Sequence, residues 1–466
     1  MQSRRSSLVL AVVSLALFMV TLDNLVVSTA LPSLRVDLGA GVESLQWVVN
    51  AYTLTFAVLL LPAAALGDRF GRRRMFLAGL SFFTFASALA AVAPSADALI
   101  AARAVQGAGA AVVAPLTLTL LSDAFPPARR GIALGIWSGV SGLGVALGPL
   151  VGGLVVDGLS WQYVFWINVP VGLALLPAAR RVLTESHGPA PQLDLGGLAL
   201  GSLGLLGVVF GIVRGNPAGW GSPEVVGSLL AGAALLVGFV VHETRTRYPM
   251  LPMRFFRSRG FAATNAVSLI MYFGIFGSIF FLTQVFQTAQ HYTALESGLR
   301  TLPWTAMPIF IAPVAGLLSD RIGSRALMVA GLVLQAIAVA WIATVVQVDT
   351  PYLELVPAFV MGGAGMALVF APAANAVLAS VRPEEAGQAS GATNAIREVG
   401  GVMGVAILVA VFSGSGSYAS PQAFIDGVTP ALWVGAAVLA AGALAATLVP
   451  GVQRAASPVL LDAAAA

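Results

Sequence analysis

Cysteine and lysine are both missing from this chain of 466 residues, and charge of either sign is scarce. The lack of cysteine excludes disulfides, thiolate metal sites and thiol catalysis. The lack of lysine excludes a Walker A loop, whose lysine reaches the nucleotide phosphates, so ATP drive of that type is not expected. Only 9% of residues are charged and 58% are hydrophobic, against roughly 25% and about 45–50% in soluble domains. A water-soluble enzyme of this composition would have too little polar surface to stay dispersed. No catalytic constellation is present, so neither enzymatic activity nor a cofactor is expected. His187, His242 and His291 fall far apart in predicted loops and read as solvated residues without a metal. The basic residues are Arg in short clusters between apolar runs, a pattern of membrane orientation rather than a nucleic-acid footprint.

What is present is a series of long apolar runs. They fall at 8–30, 45–66, 75–93, 97–121, 131–156, 163–183, 194–214, 223–241, 261–286, 296–318, 326–346, 354–380, 387–413 and 430–449. A spanning helix takes ~20 apolar residues, whereas strands of a membrane barrel alternate in polarity over ~10. The predicted fold class is therefore an all-α polytopic membrane protein with 14 spanning helices. The first run is too long for the apolar core of a signal peptide and reads as a retained span. Nineteen Arg lie in one alternating set of loops and tails. Arg35, Arg214 and Arg300 lie in the other set, and Arg103 and Arg397 fall inside spans. The positive-inside rule then puts both termini in the cytoplasm, in a cell (inner) membrane. The segment 243–260 is the longest cytoplasmic connection and reads as a solvated basic linker at an anionic leaflet.

The chain also repeats itself. Asp68, Arg69, Gly71 and Arg73 match Asp320, Arg321, Gly323 and Arg325 at an offset of 252. Gly107, Gly131, Gly135, Gly144 and Gly148 match Gly363, Gly387, Gly391, Gly400 and Gly404 at 256. Both copies of the charged loop fall on one side, so the repeats are parallel, an architecture of transporters with a site near the midplane between the halves. The predicted organisation is a six-helix lobe at 1–185, two inserted spanning helices at 186–242, the linker at 243–260, and a second six-helix lobe with a tail at 261–466.

These motifs resemble those of the major facilitator superfamily, specifically its fourteen-helix drug:proton antiporters, over essentially the whole chain. The loop 2–3 motif appears as A-A-L-G-D-R-F-G-R-R from Ala64, with Ala64 in place of the first Gly. The helix 4 motif appears as Arg103, Gln106 and Gly107, and the helix 5 exporter motif is complete from Gly144 through Gly148, Pro149, Gly152 and Gly153. Asp23 with Ala30, Leu31 and Pro32 matches the helix 1 motif, and the stretch Trp161 to Gly172, with its I-N-V-P, is similar to the entry into helix 6. The resemblance implies a secondary exporter of amphipathic small molecules, driven by a proton gradient without a cofactor, with protons and the bilayer as its other partners and a monomer as the expected form. Two rivals stand beside it: a dedicated exporter of one endogenous metabolite or lipid, not necessarily proton-coupled, and a transport-inactive membrane sensor or scaffold.

The residues themselves suggest roles. Asp23 and Arg103 both lie roughly 10 Å deep from the outer end at 1.5 Å per residue. An ionised residue inside the membrane needs a partner or a cavity. Asp23 is accordingly a candidate proton carrier or half of a static ion pair with Arg103. Glu398 and Arg397 sit mid-depth in the thirteenth span, where Glu398 is a second protonation candidate, a counter-ion for a cationic substrate, or part of an Arg–Glu structural network with a neighbouring helix. Asp68, Arg69, Gly71, Arg72, Arg73, Asp320 and Arg321 form a candidate cytoplasmic gate. Asp68 there accepts from Arg129 or Arg130, or caps a helix N-terminus across the lobe interface. The glycines of the helix 5 motif present a small-residue face suited to a pliable contact between lobes. Trp47, Asn50, Tyr52, Phe273, Gln284, Asn375 and Arg397 are candidate substrate contacts, polar, charged or aromatic positions in otherwise aliphatic spans that would suit lipophilic cations.

Overall fold

A backbone in hydrocarbon must satisfy its own hydrogen bonds, and the helix does so within one segment. The computed structural model describes residues 2–40, 42–188 and 194–451, and among them there are helices and no strands. The first set is α1 (Gln2–Asp37), α2 (Val42–Phe70), α3 (Arg72–Ala91), α4 (Ala96–Ala124), α5 (Pro127–Gly158), α6 (Gln162–Trp166) and α7 (Asn168–Val182). A pair follows, α8 (Leu195–Ala218) and α9 (Pro223–Arg245), then a short α10 (Arg254–Arg257). The last set is α11 (Arg259–Gln284), α12 (Ala294–Thr305), α13 (Met307–Ile322), α14 (Ser324–Val345), α15 (Tyr352–Ala379), α16 (Ala386–Ser415) and α17 (Pro421–Ala446).

Fourteen spans were expected from the apolar runs. Among the described residues, 12 helical stretches are long and apolar enough to cross a membrane, and 13 if α2 is taken as one bent span. That helix turns by 52° between Trp47–Leu60 and Pro62–Phe70. Pro62 accounts for the bend, since it removes one helix hydrogen bond and crowds the preceding turn. The chain is a multi-pass membrane protein.

The helix ends follow local chemistry. Ser95, Asp194, Ser222 and Ser420 each accept from a backbone N–H three residues on, and Thr293 with Glu296 forms a reciprocal capping box. In the two copies of the charged loop, Gly71 and Gly323 have φ of 104° and 84°. Only glycine takes such values without strain, so the repeated glycine is what lets α3 follow α2, and α14 follow α13, with no intervening loop.

The helices form two bundles. In the first, α1 packs on α5, and α4 packs on α2 and α3; in the second, α14 packs on α15 and α17, and α11 on α16 and α17. The bundles meet along two flanks. On one, α5 lies against α12 and α13; on the other, α2 and α4 lie against α16. The pair α8 and α9 sits at the second flank, where α8 touches both α2 and α16 and α9 packs on α8.

Two expectations about this packing are corrected. The helix 5 motif was expected to form a contact between lobes. Instead, a Cβ on Gly144 would lie 3.0 Å from the Phe18 carbonyl, and one on Gly148 would lie 2.6 Å from the Leu25 side chain. One on Gly152 would lie 2.9 Å from the Val26 carbonyl. All three face α1 in their own bundle, because positions four apart share one helix face. Only Gly153 looks across, to Leu295 at 3.4 Å, and the Pro149 side chain lies outside those described. The bundle interface uses a different face of α5: a Cβ on Gly135 would lie 2.5 Å from the Ala312 carbonyl, and one on Gly139 would lie 3.1 Å from that of Pro308.

The second correction concerns the linker. It is not simply a solvated strand of basic residues. Met250, Leu251 and Phe255 are buried and pack with Phe239 and Phe261. The Leu251 N–H donates to Glu243 at 3.0 Å, Gln388 of α16 donates to the Pro249 carbonyl at 3.1 Å, and Arg254 pairs with Glu385. The apolar residues between the arginines are numerous enough to fold the segment onto the second bundle.

Candidate functional site

A cavity of about 90 Å³ lies where the bundles meet. From the first bundle it is lined by Thr21 and Asn24 of α1, Tyr52 and Phe56 of α2, and Trp137 and Ser141 of α5, among others. From the second come Tyr272 and Phe276 of α11, Phe370 of α15, and Asn394 and Glu398 of α16. The wall is aromatic: Tyr52 stacks on Phe56 at 5.9 Å, and Tyr272 stacks on Phe276 at 5.1 Å and on Phe370 at 6.1 Å. Glu398 is the one carboxylate among the lining residues. Asn394 and Glu398 come to the same wall because they are one helix turn apart.

Asp23 is elsewhere. It is 0% exposed and absent from the cavity wall. Arg103 donates to its Oδ2 at 2.5 Å, while Gln106 and Asn168 donate to its Oδ1 at 2.8 and 2.7 Å. Arg103 also donates to the Gln106 Oε1 at 2.7 Å, and Ser87 accepts from both amides. The result ties α1, α3, α4 and α7 together through one buried carboxylate. Tyr52 separates this cluster from the cavity, with the Arg103 guanidinium 4.1 Å from its ring centre.

At the arginine-rich end of the bundles, the two charged loops do different things. Arg72 donates to Asp68 at 2.8 Å, pairs with Asp123 at 3.1 Å, and donates across the interface to the Glu384 carbonyl at 3.1 Å. The Asp68 carboxylate rests against Gly387 in the first turn of α16, where a Cβ would lie 2.6 Å from its Cγ. Of the two arrangements open for Asp68, neither is made in full: the carboxylate lies beside a helix N-terminus in the other lobe but does not cap it, since it accepts from Arg72 and its Oδ2 has no hydrogen-bond partner among the described residues. The partner expected in Arg129 or Arg130 is not made: Arg130 donates to the Ser122 carbonyl at 3.1 Å instead. Arg69 and Arg321 are exposed, and the Asp320 side chain lies outside those described. Glu185, which the sequence did not single out, accepts from the backbone N–H of Arg73 and Arg74 at 2.9 and 3.2 Å and so caps α3.

Of the seven candidate substrate contacts, Tyr52 alone lines the cavity. Trp47 faces Phe210 of α8 at 6.2 Å, and Asn50 is half-buried on α2. Phe273 is buried against Gly404. Gln284 accepts from the Tyr418 hydroxyl at 2.7 Å, and Asn375 donates to Ser319 at 3.3 Å. Arg397 is 1% exposed, with its Cζ 4.8 Å from the Phe370 ring centre. Thr21, Trp137, Ser141, Tyr272 and Asn394 were missed; for Asn394 the signal was its place one helix turn before Glu398, and the others carried none. The His242 Nε2 lies 2.7 Å from Asp194, so this histidine is anchored rather than free in a loop. Among the described residues no group of three or more His, Cys, Asp or Glu has the geometry to hold a metal.

Comparison with known proteins adds to this geometry. A family model described as Major Facilitator Superfamily matches residues 13–405. The tetracenomycin C resistance and export protein of Streptomyces glaucescens is 36% identical over 401 residues, which is 86% of this chain and 74% of that protein. The cephamycin export protein of Amycolatopsis lactamdurans is 39% identical over 453 residues, 95% of this chain and 92% of that protein. Among solved structures, the proton:xylose symporter XylE superposes with a TM-score of 0.70 at 15% identity, covering 97% of both chains. That last likeness is one of fold.

Proposed function

The chain belongs to the major facilitator superfamily, and from that premise we propose that it is a proton-coupled exporter of amphipathic small molecules. It works by alternating access and is of the fourteen-helix drug:proton antiporter type. The observation that carries this reading is the aromatic cavity between the bundles with Glu398 on its wall. A half-buried carboxylate in a low-dielectric cavity is poised to take a proton when the cavity opens to one side and to lose it on the other. Asp23 already accepts three hydrogen bonds with no exposure. In this reading it stiffens the first lobe with Arg103, and Glu398 carries the proton. Asp68, Arg72 and Gly387 form the gate at the arginine-rich end.

The remaining parts follow from the same reading. The 13 stretches that include the bent α2 become 14 spans when the 32 residues of α5 are added. The lobes are residues 1–185 and 261–466, with inserted helices at 186–242 and the linker at 243–260. The protein is a monomer of the inner membrane with both termini in the cytoplasm, and it uses the proton gradient without a cofactor. A second reading, a dedicated exporter of one compound, is favoured by relatives named for a single antibiotic each.

The test is transport in proteoliposomes with an imposed proton gradient. The fluorescent amphipathic acid 2-naphthoate is expected to accumulate against its own gradient, to leak back when an ionophore collapses the proton gradient, and to lose gradient dependence in Glu398→Gln. Accumulation by Glu398→Gln at the wild-type level would overturn the assignment of the proton to Glu398. Failure of an ionophore to stop uptake would overturn proton coupling itself.

A further inference from the structure

Arg397 is almost wholly buried, yet its Nε and Nη2 have no hydrogen-bond partner among the described residues. Those two nitrogens form the side edge of the guanidinium, the edge that presents two parallel N–H groups to a carboxylate. An arginine cannot escape burial by losing its proton as a lysine can. The ring faces of Phe370 and Tyr272, 4.8 and 5.8 Å from Cζ, offset only part of the cost of its desolvation. The charge therefore calls for an anion in some state of the protein. On α16 it sits about 60° around the helix from Asn394 and about 100° from Glu398, and both of these line the cavity, as do Tyr272 and Phe370. Arg397 thus stands at the shoulder of the cavity behind two lining rings, with an unfilled bidentate edge.

Glu398 is the nearest protein anion in sequence, but it makes no hydrogen bond to the Arg397 Nε or Nη2. When Glu398 is protonated it offers no charge at all, and the Arg397 cation behind the cavity wall is then uncompensated. We propose that Arg397 recognises an acidic group on the exported molecule, so that the substrates are aromatic carboxylic acids or acids of like shape rather than lipophilic cations. The substrate carboxylate occupies the Nε–Nη2 edge while its apolar body lies among Tyr52, Phe56, Tyr272 and Phe276. This rests on the exporter reading above with Glu398 as proton carrier. It also reverses the expectation, drawn from the acidic and aromatic side chains, that the cavity suits cations.

The experiment compares 2-naphthoate with its neutral isostere 2-naphthamide, both fluorescent, binding to the purified full chain at neutral pH. Wild type is expected to bind the carboxylate at least tenfold more tightly than the amide. Arg397→Gln is expected to bring the two within threefold, chiefly by weakening carboxylate binding. Arg397→Lys keeps the charge but loses the bidentate edge, and its preference should fall between the two. It also serves as the deciding variant if Arg397→Gln does not fold. A wild type with no preference, including one that binds neither probe, overturns the proposal, and so does a preference that survives in both variants. Gradient-driven 2-naphthoate uptake by the same preparation, reconstituted in liposomes, reports on the exporter reading separately. Uptake without carboxylate preference overturns acid recognition alone, and preference without uptake overturns the exporter reading alone.

Discussion

The guanidinium of Arg103 lies over the ring of Tyr52, 4.1 Å from its centre. Tyr52 in turn faces the central cavity. One aromatic ring thus divides the chain's membrane charges into two sets. Behind it, Asp23 is paired with Arg103 and accepts three hydrogen bonds; in front of it, Glu398 lines the cavity, and Arg397 precedes it on α16 with no partner for its Nε and Nη2. A buried pair that is complete stores little that a transport cycle can use. Breaking it costs several kcal/mol, and it is weak evidence of function by itself.

The first prediction follows from that division. Asp23→Asn leaves Arg103 as an uncompensated buried charge, which is expected to cost about 3–5 kcal/mol of stability. The double change Asp23→Asn with Arg103→Gln removes both charges and is expected to recover folded yield. Gradient-driven 2-naphthoate transport, normalised to folded protein, should be restored in the double variant. A double variant that folds but has lost proton coupling would show that Asp23 carries a proton after all.

A second prediction concerns the seal at the arginine-rich end. A side chain on Gly387 must displace the Asp68 carboxylate, whose Cγ would lie 2.6 Å from the new Cβ. Gly387→Ala is therefore expected to loosen that end and shift the population toward opening there. The chain has no native cysteine, so Ser141→Cys provides a single reporter on the cavity wall. Its rate of labelling by a thiol reagent applied from the arginine-rich side should rise several-fold in the Gly387→Ala background. An unchanged rate would mean that Asp68 does not hold the seal.

Orientation supplies a third. Ser186 lies in the segment that follows α7, whose last turn carries Arg180 and Arg181, and Ser417 follows α16 at the other end of the bundle. With both termini in the cytoplasm, Ser186→Cys should resist an impermeant thiol reagent added to intact cells, and Ser417→Cys should react. The reverse pattern would invert the topology and with it the direction of every gate described above.

The sequence by itself determined the class of the protein. Long apolar runs, the absence of lysine and cysteine, and the repeat of Asp68-Arg69-x-Gly71 at Asp320 are each readable without coordinates, because backbone satisfaction in lipid and the steric freedom of glycine are local matters. The pairing of Asp23 with Arg103 was also within reach, since both were placed at one depth in different spans. What the tertiary structure alone decided is which face each helix turns to which neighbour. The helix 5 glycines turned to α1 rather than to the other lobe, and Trp47 turned to the inserted α8. Six of the seven proposed substrate contacts stand away from the cavity wall. Composition reports that a residue is unusual for its span, but a helix has a neighbour on every side, and a change of one residue rotates a side chain by about 100°. The crossing of the bent α2 with α4 and α16 therefore decides that Tyr52 faces the cavity, and no periodicity in one helix contains that crossing. The same reason hid the difference between the two buried arginines: both read as lone charges in apolar runs, and only packing gave Arg103 three polar neighbours and left Arg397 with rings.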